Sequence, residues 1–98
     1  MASGWIGVLS VELHFPEAHS LKEKRMSVRS AKEQLRNRFG AAVAEVDHHD
    51  VWQRSRLTLT CVARGHNELQ SLLDGAERYL SGQAFELGSV DREIVTLE

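Results

Sequence analysis

Residues 19–40 read HSLKEKRMSVRSAKEQLRNRFG, a pattern that predicts one long helix with a defined start and end. Ser20, followed three residues later by Glu23, forms a capping box, in which each side chain accepts a hydrogen bond from the other residue's backbone N–H. Gly40 is the residue type that commonly ends a helix in the left-handed conformation. Apolar residues recur on one face, which is therefore expected to pack against a core. They are Leu21, Val28, Ala31, Leu35 and Phe39.

The same helix concentrates positive charge in a strip beside its apolar face. Five cations fall within an arc of about 80°, and we call them the cationic ridge: Lys22, Arg25, Arg29, Lys32 and Arg36. Residues 21–39 hold seven Lys or Arg and two Glu, a net +5, whereas the rest of the chain holds five basic and twelve acidic residues, a net −7. Such polarisation favours an anionic partner. The alternative is a solvated helix face, in which Glu33 pairs with Arg29 or Arg36.

Four strands and a second helix are predicted around this helix. Residues 5–15, 41–48, 52–64 and 84–97 read as strands, and residues 49–51 make a hairpin connection between the second and third. The second helix starts at Asn67 as its cap and ends at Gly82. Gly88 marks a bulge or break in the last strand. The core side of the second helix carries Leu69, Leu72, Leu73, Ala76 and Leu80.

The resulting order, β-α-β-β-α-β, predicts a ferredoxin-like sandwich of class α+β. We expect residues 1–98 to form a single domain, with a four-stranded antiparallel sheet and both helices on one face. The outward residues of the first and third strands are polar, so the other face of the sheet is expected to stay open: Ser10, Glu12, His14, Arg54, Arg56, Thr58 and Thr60. Their inward counterparts are Leu9, Val11, Leu13, Leu57, Leu59, Cys61 and Ala63.

Composition places the chain among ordinary soluble globular proteins, since it is 42% hydrophobic and 27% charged. No apolar run approaches the length of a membrane span, and the first residues do not have the pattern of an export signal. The single cysteine, Cys61, cannot form an internal disulfide and is expected to be a buried thiol. These features predict a cytoplasmic protein that does not contact a membrane.

Two segments resemble a known family: HSLKEKR at residues 19–25 and EVDHHDVWQR at residues 45–54. They resemble the YlxP-like family, small bacterial proteins of unassigned biochemical function and ferredoxin-like fold, and the resemblance extends over nearly the whole chain. Members tend to be encoded among genes for translation initiation and ribosome maturation, which implies, by association, a role near ribosomal RNA. The resemblance transfers no catalytic residue. The motif positions that it carries over are residues 19–25 together with Glu45, Val46, Asp47, Asp50, Trp52, Gln53 and Arg54.

Charge and resemblance together favour a non-catalytic accessory protein that binds ribosomal or other structured RNA. The middle of the open face holds Ser10, Glu12, Thr58 and Thr60, where RNA-recognition domains of this topology place aromatic residues. We therefore expect contact with RNA shape and backbone, through phosphate-binding cations. The predicted nucleic-acid-binding residues are Lys22, Lys24, Arg25, Arg29, Lys32, Arg36, Trp52, Arg54 and Arg56.

Two other functions remain open. A homodimeric interaction module would use the open sheet face, with Ile6 and Val8 as its apolar centre. A small metal-dependent enzyme would be built around His14, Asp47 and His48, but adjacent strand residues point to opposite faces and rarely chelate together. We expect a polar hairpin there instead, with an Asx turn at Asp47 or Asp50 and an ion pair between Asp47 and Arg54. No metal, cofactor or catalytic residue is expected.

Overall fold

The computed structural model describes residues 3–97 as six elements in the predicted order. The sheet order is β2-β3-β1-β4, and every neighbouring pair of strands is antiparallel. The ferredoxin-like α+β architecture is therefore confirmed. The elements are β1 (Gly4–His14), α1 (Leu21–Phe39), β2 (Ala42–Asp47), β3 (Arg54–Ala63), α2 (His66–Ser81) and β4 (Glu86–Leu97).

The ends of α1 follow from the two caps that the sequence predicts. Ser20 is extended, and its hydroxyl accepts from the Glu23 N–H at 3.1 Å. The Glu23 carboxylate closes the cap by accepting from the N–H of His19, one residue before the expected donor, at 2.8 Å. Gly40 has φ 63° and donates to the Arg36 carbonyl, which ends the helix in the left-handed conformation.

The start of α2 differs from the prediction. Gly65 is the cap residue and makes no side-chain hydrogen bond, while Asn67 lies inside the first turn. The predicted cap at Asn67 is therefore wrong by two residues, because the chain enters the helix directly from the β3 turn.

No helix within residues 3–97 has the length and the apolar character to cross a membrane.

The core lies between the sheet and the two helices. Leu9, Val11 and Leu13 of β1 are fully buried, as are Leu57 and Leu59 of β3. This alternation confirms the predicted inward faces of both strands. The helices cover this face with Val28, Ala31 and Leu35 from α1, and with Leu69, Leu73, Ala76 and Leu80 from α2.

A bulge in β4 makes room for Glu12 on the other face of the sheet. Val11 pairs with Val90 and Leu13 with Leu87, so two residues of β4 oppose Glu12 alone. A Cβ atom at Gly88 would lie 3.3 Å from the Glu12 carbonyl oxygen. The predicted irregularity at Gly88 is confirmed, and it brings the β4 backbone close to an acidic side chain.

Gly7 lets α2 approach β1, which yields a prediction about stability. A Cβ atom at this position would lie 2.7 Å from Leu73 Cδ1 and 3.0 Å from Leu69 Cδ1. We expect Gly7→Ala to reduce the free energy of unfolding by about 1–3 kcal/mol through overpacking. Gly82→Ala is the control, since its Cβ would meet only backbone oxygens at 3.6 Å. Urea denaturation measures both, and equal effects would contradict this packing.

Candidate nucleic-acid interface

The cationic ridge lies on the flank of α1 that faces away from α2. The opposite flank, with Ser27 and Ser30, lines a cleft that also contains Tyr79 of α2. At the other side of α1, the Arg25 guanidinium approaches the Asp50 carboxylate in the β2–β3 loop at 3.8 Å. The ridge therefore runs along the margin of the molecule beside β2, and at 1.5 Å per residue it extends over about 21 Å.

The cations of the ridge are accessible and nearly free of internal partners. Lys32 is half-buried and the other four residues are exposed. Within residues 3–97, Arg25 is the one ridge residue with a carboxylate within 4.0 Å. That contact joins side chains that are 58% and 91% exposed, so its contribution is small. The alternative pairing of Glu33 with Arg29 or Arg36 is absent from this part of the chain.

Lys24 does not belong to the ridge, which corrects the predicted nucleic-acid-binding set. Its side chain is fully buried, and its ammonium group lies 2.7 Å from the Glu45 carboxylate of β2. The residue starts an i, i+4, i+7, i+11 series with Val28, Ala31 and Leu35, so it points to the core rather than to solvent. That spacing was present in the sequence, but the charge of Lys24 led to its assignment as a surface residue.

The buried lysine joins the two segments that carry the family resemblance. Its ammonium group donates to the His48 carbonyl at 2.7 Å and to the His49 carbonyl at 3.3 Å, in addition to its bond with Glu45. His48 has φ 64° and is the only described non-glycine residue with positive φ. Lys24 thus holds the start of the β2–β3 loop against α1 in a conformation that the backbone alone disfavours.

Glu45 is held as a carboxylate by this arrangement. Burial would raise the pKa of its carboxyl, but hydrogen bonds from Lys24 and from the Ser55 hydroxyl at 2.6 Å lower that pKa below the ordinary 4.5. Ser55 is itself fully buried. The three side chains therefore form a polar cluster beneath α1, in which Lys24 and Ser55 are fully buried and the Glu45 side chain is 12% exposed.

Arg54 and Arg56 are not free cations, because an acidic residue of β1 engages both, although the Arg54 side chain remains 48% exposed. The Arg54 guanidinium donates twice to Glu12 Oε1, at 2.6 and 3.1 Å. Arg56 donates to Glu12 Oε2 at 3.3 Å and to the Asp91 carboxylate at 2.6 Å. The predicted ion pair of Asp47 with Arg54 is wrong, since β2 pairs Asp47 with Arg56 in register and Arg54 lies opposite His14.

The titration of Glu12 reflects this network. Burial alone would raise the pKa of its carboxyl, but hydrogen bonds from Arg54 and Arg56, together with the charges of Arg54 and His48, lower the pKa below 4.5. The hydrogen bond to Asp91 raises the pKa of Arg56 despite partial burial. Both arginines on this face of the sheet are thus paired with acidic neighbours.

The remaining predicted residue, Trp52, lies in the β2–β3 loop with 40% of its surface exposed. The nine predicted residues therefore do not form one surface. Five make the ridge in the helix layer, Trp52 is in the loop, Arg54 and Arg56 lie on the opposite face of the sheet, and Lys24 is in the interior.

The loop histidine makes contacts different from those of a metal centre. His48 Nε2 lies 3.2 Å from Glu12 Oε1, and Nδ1 lies 3.8 Å from Asp47 Oδ1. The Asp47 carboxylate accepts from the adjacent His48 N–H at 2.8 Å. Among residues 3–97, no three His, Cys, Asp or Glu residues come together in a group that could hold a metal ion.

Removing the buried ammonium group should destabilise the fold strongly. We expect Lys24→Met to cost about 3–5 kcal/mol, because it leaves the Glu45 carboxylate buried without its charge partner. The control Lys22→Met is on the exposed ridge and should change stability by less than about 0.5 kcal/mol. Adding Glu45→Gln to Lys24→Met should recover part of the loss. Equal denaturation midpoints for the two single variants would contradict this assignment.

The lowered pKa of Glu12 predicts how stability depends on pH. A carboxyl whose pKa is lower in the folded state stabilises fully above its unfolded pKa, near 4.5, and that contribution is lost as pH falls through the folded pKa. The difference in unfolding free energy between wild type and Glu12→Gln should therefore be largest at pH 7 and shrink below pH 4.5. Urea titrations measure it, with Glu33→Gln as an exposed control. A difference independent of pH would contradict the network.

Comparisons with known proteins place the chain in a family. Residues 6–93 match the model of a family described as "Protein of unknown function (DUF503)". The chain is 31% identical over 72 residues to "Uncharacterized protein YlxP" of Bacillus subtilis (strain 168), covering 69% of this chain and 78% of that protein. The solved structure "De novo designed protein Ferredog-Diesel" is 14% identical to this chain, with a TM-score of 0.41. The alignment covers 88% of this chain and 83% of the designed chain. The family match and the Bacillus relative confirm the resemblance noted in the sequence, and the chain belongs to the DUF503 family of YlxP-like proteins.

Proposed function

We propose that this protein is a non-catalytic accessory factor that binds ribosomal or other structured RNA through the cationic ridge, in ribosome maturation or translation. The supporting observation is the charge state of α1. Its ridge keeps five cations at the surface, and in residues 3–97 only Arg25 has a nearby carboxylate, at 3.8 Å. The buried or paired cations Lys24, Arg54 and Arg56 take no part in this function.

The geometry of the ridge suits one phosphate backbone. Its residues are alternately three and four positions apart, so the cations follow one another by about 4.5–6 Å along the helix axis. A row of this kind follows one strand over several phosphates. Each phosphate contact on a single strand releases about 0.7 counterions. Five contacts therefore give a slope of log K against log salt concentration near −3.5. Such binding positions a protein on RNA but does not select a sequence.

The open sheet face supports recognition of RNA shape rather than of stacked bases. Its central rows hold Ser10, Thr58 and Glu12, none of which offers a ring for stacking. Glu12 and Asp91 neutralise the two arginines of this face. Phosphate is therefore attracted to the helix layer. The genes among which YlxP-like proteins tend to be encoded make ribosomal RNA the first candidate ligand.

Charge reversal on the ridge tests the proposal. Arg25→Glu, Arg29→Glu and Arg36→Glu together should weaken binding to purified ribosomal RNA at least about tenfold in low salt. The slope of log K against log salt should fall from about −3.5 to about −1.4, because two ridge lysines remain. Filter binding over a range of salt concentrations measures both quantities.

A matched triple variant controls for net charge. Arg38→Glu, Arg64→Glu and Arg78→Glu change the charge by the same amount at exposed positions outside the ridge. This variant should keep most of the affinity, and both triple variants should unfold cooperatively. Unchanged binding by the ridge variant, or an equal loss in both variants, would refute the proposal.

A further inference from the structure

The open face of the sheet separates its charges by strand. The outward positions of β3 include Arg54 and Arg56 but no acidic residue, while those of β4 include Glu86, Asp91 and Glu93 but no basic residue. The basic residue of β4, Arg92, points to the helix side, where it bonds to the Asp74 carboxylate of α2. The basic groups of the face thus lie on the β3 side and three of its acidic groups on the β4 side, with β1 between them, and Glu12 and Asp91 pair with the two arginines.

Toward the start of β1, an apolar row crosses the same face. Ile6 pairs with Val62 of β3 on one side and with Val95 of β4 on the other. Val62 is 68% exposed and Val95 is 43% exposed. Three β-branched residues therefore lie side by side without a covering layer, and the row is symmetric about Ile6, with a valine at each end.

We propose that a second copy of this chain packs face to face on the open face of the sheet. The two-fold axis lies between the two sheets, directly over β1 and parallel to it, so it passes by Ile6. This axis exchanges the two sides of the face, so β3 of one copy lies over β4 of the other. Val62 then meets the partner copy's valine at position 95, and the basic strand lies over the acidic strand. The interface is isologous, because each copy presents the same patch.

Charge complementarity favours a second copy as the occupant. By register, Arg54 and Glu86 flank His14 in one row, and Thr60 and Glu93 flank Val8 in another. Arg54 bonds to Glu12 through Nε and Nη2, but its side chain stays 48% exposed. Under the proposed axis, this exposed part of Arg54 in each copy faces the partner's glutamate at position 86. The outward charges of β1, β3 and β4 sum to −2: Arg54, Arg56, Glu12, Glu86, Asp91 and Glu93. Their separation by strand still places basic positions over acidic ones under this axis, whereas two cationic ridges would repel each other.

The area of the face and the position of the helices are compatible with this dimer. The three overlapping strands, β3, β1 and β4, about 4.8 Å apart and ten residues long, cover on the order of 480 Å², which is at the small end of specific interfaces, where the typical value is ~800 Å² per partner. Aligned sheets of this kind pack about 10 Å apart. The helices lie on the outer surfaces, so both ridges stay exposed. The dimer is therefore independent of the proposed RNA binding.

Light scattering and analytical ultracentrifugation at micromolar concentration test the proposal. The wild type should be a dimer. Val62→Asp should weaken the dimer at least about tenfold, because it puts an unpaired charge into the apolar row. Met26→Asp is the matched control, since Met26 is 60% exposed on α1, and it should remain dimeric. A monomeric wild type, or dissociation that is equal in both variants, would overturn the proposal.

A mixing experiment tests the orientation. Val62→Asp and Val95→Lys, each in its own chain, should both be monomeric alone. When mixed, they should form a heterodimer, because the new carboxylate faces the new ammonium group at one site and two valines meet at the other. An axis perpendicular to the strands would place position 62 over position 62 of the partner and give no such rescue. Failure of the mixture to dimerise would therefore overturn the proposed axis.

Discussion

The ion pair of Lys24 with Glu45 is the interaction on which the orientation of α1 depends. Burying an ammonium group is costly unless each of its donors finds a partner. Lys24 meets this requirement with the Glu45 carboxylate at 2.7 Å and with two loop carbonyls. Because these partners come from β2 and from the β2–β3 loop, the bond ties α1 to both, and with the buried Val28, Ala31 and Leu35 it sets the rotation of the helix. The ridge is exposed as a consequence of that rotation.

The molecule contains two kinds of charged groups with different consequences. The Glu12 network with Arg54 and Arg56 at the sheet is satisfied within the chain. It contributes to the fold and to the shape of the open face. The cations on the outer flank of α1 have almost no such partners in residues 3–97, so their field extends into solvent, where it can attract an anion. This division is the basis of both proposals, RNA binding by the helix layer and self-association through the sheet.

Local patterns predicted most of the fold, while long-range pairing decided the rest. The caps at Ser20 and Gly40, the alternation in β1 and β3, and the bulge at Gly88 all follow from nearby residues. The partner of Arg54 could not be derived in this way, because it depends on the register between β1 and β3. The exposed ridge was predictable from helical spacing, as was the inward direction of Lys24. That Lys24 would find an acidic partner in β2 required the packing of α1 on the sheet.

Lysine reactivity tests the central claim most directly, because the three lysines of the chain all lie in α1. Acylation of the folded protein, followed by mass spectrometry, reports each amine separately. Lys22 and Lys32 should react readily in the free protein and become protected by saturating ribosomal RNA, whereas Lys24 should remain unreactive in both states. Rapid modification of Lys24 in the native protein, or unchanged modification of Lys22 and Lys32 with RNA, would contradict the account.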